Sequence, residues 1–103
     1  MKFLHTGMVV GERRPDMVYV DALKVWITDA AKSPYAVEQL WFEPDSPMAG
    51  AIQRGPHVAF AVDSVDEAVA GKAVLLPKTD IGPAYIAFVW DGGIVVEFYQ
   101  FKA

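Results

Sequence analysis

Val96-Glu97-Phe98-Tyr99-Gln100-Phe101 has a near copy earlier in the chain, Val37-Glu38-Gln39-Leu40-Trp41-Phe42; each opens on Val-Glu and closes on Phe. Each is preceded by a strand-like stretch that begins with a histidine. These are His5-Thr6-Gly7-Met8-Val9-Val10 and His57-Val58-Ala59-Phe60-Ala61-Val62. The chain therefore reads as one unit used twice, with a His on its first strand and a Glu on its last. Glu38 follows His5 by 33 positions and Glu97 follows His57 by 40, so the second copy is the longer. His5 and His57 are the only histidines.

At 103 residues the chain is long enough for one modest core and too short for two, so residues 1–103 form a single domain. Apolar residues make up 53% and charged residues 21%, a composition that excludes disorder. Nine basic residues lie scattered among thirteen acidic ones, for a net charge of -4. Without a basic stripe, nucleic acid is not an expected partner. The absence of cysteine excludes a disulfide framework and thiol chemistry. Met1–His5 does not open a signal peptide, and no apolar run is long enough to span a membrane. The expected location is the cytoplasm.

Residues 2–10 read as a strand, and Gly11–Asp16 as a polar break. Met17–Val20 and Leu23–Thr28 read as two short strands or one bent strand; Val18, Val20, Val25 and Ile27 favour the extended chain over a helix. Asp29–Pro34 is a loop and Tyr35–Phe42 the strand carrying Glu38. Residues 46–56 form a linker, with a helical turn or two over Met48–Arg54. His57–Val62 is a strand. Ser64 with Glu67 matches a capping box, and Val65, Ala68 and Val69 make the apolar stripe of a short helix. Ala73–Leu76 is a strand stopped by Pro77. Asp91-Gly92-Gly93 marks a hairpin between Tyr85–Trp90 and Ile94–Phe101. The first copy lacks a counterpart to the helix.

Strand side chains alternate faces, so parity tells what accompanies each His and Glu. Gly7 and Val9 share a face with His5, and Ala59 and Ala61 with His57; small residues beside a polar one leave room for a cavity. Leu40 and Phe42 accompany Glu38, and Tyr99 and Phe101 accompany Glu97. A carboxylate in an apolar strand requires a partner. If the two copies pair about a pseudo-two-fold axis, both His…Glu pairs meet at one point. Two imidazoles and two carboxylates suit a divalent metal such as Zn, Ni, Co, Mn or Fe(II).

His57–Val62 running into Asp63-Ser64-Val65-Asp66-Glu67-Ala68, together with Asp91-Gly92-Gly93 and Val96-Glu97-Phe98, resembles the vicinal-oxygen-chelate superfamily. That group includes glyoxalases, bleomycin-resistance proteins and extradiol dioxygenases. The resemblance implies an α+β fold of two repeated β(α)βββ modules, residues 1–45 and 57–103. They would form a curled mixed sheet around a central cavity, the first module lacking its helix. It also implies that His5, Glu38, His57 and Glu97 occupy the metal-ligand positions found in glyoxalase I.

The implied chemistry is that of an isomerase or lyase acting on a small oxygenated molecule. The metal chelates two adjacent oxygens and stabilises an enolate or oxyanion. Glu97, with Glu38 next, is the expected general base. Tyr99 and Arg54 are candidate substrate-binding residues, whereas Trp26, Trp41, Tyr85 and Trp90 are expected in the core. Three other readings stand beside this one. They are a metal-free ligand-sequestering protein of the bleomycin-resistance kind, an Fe(II) dioxygenase using His5, His57 and Glu97, and a β-rich interaction domain. An unpaired sheet edge on each module suggests a homodimer.

Overall fold

A computed structural model describes all residues, Met1–Ala103. Eight strands form one curled, mixed sheet: β1 (Lys2–Val9), β2 (Val18–Val20), β3 (Val25–Ile27), β4 (Val37–Phe42), β5 (His57–Ala61), β6 (Ala73–Asp80), β7 (Ala84–Asp91) and β8 (Ile94–Phe101). Two short helices join them, α1 (Gly50–Arg54) and α2 (Val65–Val69). The strand order is β2-β3-β4-β1-β5-β8-β7-β6. It is symmetric about the junction of β1 and β5. β1 and β5 are antiparallel, and each has a parallel neighbour on its far side, β4 and β8 respectively. This is the expected α+β half-barrel, and no helix lies between β1 and β2.

Local chemistry explains most of the elements. Gly92 and Gly93 both have positive φ, 60° and 85°, which the tight turn between β7 and β8 requires. Ser64 Oγ accepts the backbone N–H of Glu67 and caps α2, whose Val65 is fully buried. Val18–Val20 and Val25–Ile27 are two separate strands joined by a 3-10 turn over Asp21–Leu23. The largest boundary difference from the sequence expectation lies in β6. β6 does not stop at Pro77 but continues to Asp80. It is an edge strand whose register shifts between Leu76 and Thr79, so the missing N–H of proline breaks no ladder bond there.

Two apolar clusters hold the sheet. On the convex side, α2 covers Ala87, Val89, Val96 and Phe98 with Val65. The concave side is filled at one end by Leu23, Val25, Leu40, Ile86, Phe88 and Val95, closed over by Met48 and Ile52 from the linker. At 1% exposure Ile52 is as buried as Val25 of β3, so the linker contributes to the core. It closes one end of the cup. No helix is long and apolar enough to cross a membrane.

Candidate metal centre

The register of the four central strands builds the site. Gly7 pairs with both Glu38 on β4 and His57 on β5, and Ala59 pairs with both His5 on β1 and Glu97 on β8. Gly7 and Ala59 thus occupy equivalent places, each between a histidine and a glutamate. The ring of His57 lies over Gly7, so closely that a Cβ there would overlap it. A bulge at Leu4, where the β1–β5 register shifts between Phe3 and His5, turns Leu4 and His5 toward the cup while Phe3 packs on Phe60 outside. Ala36, with φ 54°, turns the chain into β4 one residue after Ser33 Oγ has accepted the N–H of Tyr35.

His5, Glu38, His57 and Glu97 are the only buried charged or titratable groups of the polar core, none more than 7% exposed. One donor atom from each lies within 4.8 Å of the others. His57 Nε2 is 3.1 Å from Glu97 Oε1, and His5 Nε2 is 3.5 Å from both Glu38 Oε1 and Glu97 Oε1. These contacts lack hydrogen-bond geometry: His5 Nε2, His57 Nε2 and Glu97 Oε1 are buried without a hydrogen-bonding partner. Orphaned polar atoms are costly in a folded core. Donors that share one ion at about 2.0–2.2 Å lie roughly 3–4 Å apart. The three His–Glu separations of 3.1, 3.5 and 3.5 Å fall in that range. Charge fits as well, since two neutral imidazoles and two carboxylates balance a divalent cation. The buried group could therefore bind a metal ion.

The electrostatics separate the two glutamates. Burial, reinforced by the Glu97 charge and only partly opposed by His5, pushes the Glu38 carboxyl up to about 8. Burial acts on Glu97 too, but the adjacent imidazoles of His5 and His57 outweigh it and hold Glu97 below its ordinary value. Burial lowers His5 while Glu97 and Glu38 raise it, and the carboxylates win. One carboxyl of the pair thus keeps a proton and the other is ionised.

A cavity of about 680 Å³ opens over the cluster at the end the linker leaves free. His5, Glu38 and Tyr99 contribute to its wall, as do Leu4, Ile27 and Phe101. The Tyr99 ring meets His5 edge-on at 5.9 Å and stacks on Phe101 at 5.6 Å. Burial and the two glutamates push the Tyr99 hydroxyl up, so it stays protonated. Glu97 lies deeper, at 3% exposure, and His57 packs edge-on against Phe88 at 5.1 Å. Arg54 lies elsewhere: it is exposed at the end of α1, with its guanidinium folded over Gly50. Trp26, Trp41, Tyr85 and Trp90 do not line the cavity. The Asp29–Ser33 loop does, and its role was not read from the sequence. The run of small residues Ala30-Ala31 is the one local hint of room there.

No protein-family model matches the sequence, and no curated protein matches it. Solved structures do match over nearly the whole chain. The hypothetical protein BH1468 from Bacillus halodurans C-125 superposes with a TM-score of 0.66 at 22% identity, covering 99% of this chain and 95% of that one. Methylmalonyl-CoA epimerase from Mycobacterium tuberculosis superposes with a TM-score of 0.62 at 16% identity, covering 99% and 89%. The chain has a glyoxalase-like fold, shared with that epimerase. At these identities the likeness extends to the fold alone.

Proposed function

We propose that the protein is a metal-dependent enzyme of the vicinal-oxygen-chelate kind, an isomerase or lyase acting on a small molecule with two adjacent oxygens. The observation that carries this reading is the group of four buried donors, three of whose atoms have no hydrogen-bonding partner. His5, Glu38, His57 and Glu97 would hold the ion. A divalent ion there would supply Lewis-acid stabilisation of the negative charge that develops on the substrate oxygens. Glu38 forms part of the cavity wall and is the carboxylate best placed to accept a proton from a bound molecule, with Glu97 second. Tyr99, a protonated phenol in the same wall, can donate a hydrogen bond to an oxygen of that molecule.

A second reading, sequestration of a ligand without metal, draws on the stacked Tyr99 and Phe101 at the cavity mouth. The Fe(II) dioxygenase reading leaves Glu38 without a role, since two histidines and one carboxylate suffice for it. Metal analysis of untagged protein separates the first two. The expected result is about one divalent ion per chain, lost in His57→Ala. Metal-free protein that still binds cavity-sized ligands would overturn the enzymatic reading in favour of sequestration. The reading also carries a homodimer, supported by the unpaired outer edges of β2 and β6. Light scattering on the eluting protein tests it, and a monomer mass at micromolar concentration would refute it.

A further inference from the structure

We infer that the cavity over His5 and Glu38 takes an uncharged molecule with an apolar tail and rejects carboxylates, phosphates and coenzyme A esters. The inference deepens the proposed function and rests on it for the bound ion and for the two adjacent oxygens held at the centre.

The wall is mostly carbon, with Leu4, Ile27, Tyr99 and Phe101 facing the opening; beside the imidazole of His5 its acidic groups are Asp29 and Glu38, the latter negative once a bound ion has displaced its proton, and no lysine or arginine lines it. None of the nine lysines and arginines of the chain lines the cavity. Arg14, Lys24, Lys72, Lys78 and Lys102 pair with aspartates. Arg13 sits 4.4 Å over the ring of Trp26, and Arg54 lies over Gly50. Lys2 lines a separate cleft, and Lys32 lines an adjoining one that shares Val18, Thr28, Asp29 and Ser33 with the cavity but not the cavity itself. An anionic group in this cavity would lose its water without gaining a cation, because a divalent ion held there would already be neutralised by Glu38 and Glu97. Asp29 adds repulsion, its carboxylate fixed by the N–H of Ala31 at 2.9 Å. The shared fold of the methylmalonyl-CoA epimerase therefore does not bring its substrate with it, since a coenzyme A ester carries several phosphate charges. The cavity, at about 680 Å³, is of a size for a drug-like or smaller molecule.

The test compares 2-hydroxyacetophenone with mandelate, which share a phenyl tail and adjacent oxygens but differ in charge. Calorimetric titrations are run on Zn-loaded and on chelator-treated protein, with metal content measured in both. The expected result is binding of the uncharged probe at least about tenfold tighter than mandelate. Ala31→Lys, on the exposed 3-10 turn of the wall, narrows that preference by about tenfold, and Val18→Lys, exposed on the same wall, repeats the result independently. Mandelate binding as tightly as the neutral probe, or neither probe binding at ~10 mM, would overturn the inference. Failure of the metal reading looks different: no ion is taken up, yet the neutral probe is still preferred.

Discussion

The imidazole of His57 occupies the space directly over the Cα of Gly7, across the antiparallel pair of β1 and β5. Glycine at position 7 is therefore a requirement of the neighbouring strand, not of its own backbone. Gly7→Ala should displace the ring and weaken divalent-metal affinity by at least about a hundredfold, because even loss of a ligand's supporting partner costs about 10–100-fold. Competition against a metallochromic chelator measures this. Unchanged affinity would mean that His57 does not bind the ion.

Glu38 provides a pH signature. Its carboxyl, raised to about 8, keeps a proton in the metal-free native state that the unfolded chain loses near 4.5. The native state then binds more protons than the unfolded one across that window, so stability falls as pH rises, by up to about 1.4 kcal/mol per unit. His5, also raised, acts in the same direction above its ordinary value of 6.5. Thermal unfolding of metal-free protein between pH 5 and pH 8 should show Tm declining, and Glu38→Gln should flatten the decline.

Metal uptake must discharge the Glu38 proton. Binding at neutral pH should release at least about one proton per ion, His5 adding to Glu38, and affinity should rise toward pH 8. Titrations in buffers of differing ionisation enthalpy count the protons. A pH-independent affinity would remove Glu38 from the ligand set.

Ile52 tests the closed end of the cup. Truncation to Ala should cost about 2–5 kcal/mol in urea unfolding, as for other fully buried aliphatic side chains. Metal affinity should change little, because Ile52 packs on the Leu40–Phe88 cluster and not on the four donors. A parallel loss of metal would show that the plug also positions the site.

The repeat of His and Glu was legible because side-chain alternation along a strand is a local, two-residue rule. Parity placed Gly7 beside His5 and Tyr99 beside Glu97, and the register bears out both placements. What escaped was what depends on distant parts of the chain. Pro77 looked like a stop, but β6 is an edge strand with β7 as its one neighbour, and its register to β7 shifts around Pro77, so the strand runs on. The linker looked like a connector, yet Met48 and Ile52 are core because the curl of the sheet leaves them a hollow. The loop of Asp29–Ser33 became cavity wall through the turn at Ala36, whose positive φ no local pattern announces.

Closure of one end by Met48 and Ile52 makes the cup a blind vessel with a single mouth. Met48, in one cluster with Ile52, walls the small void at that closed end. Shortening both would drive a passage through the molecule beneath Glu97, toward the small void that Leu40, Phe42 and Phe88 already border. Reach into that passage, and hence the length of molecule accommodated, could then be re-engineered without touching a single strand.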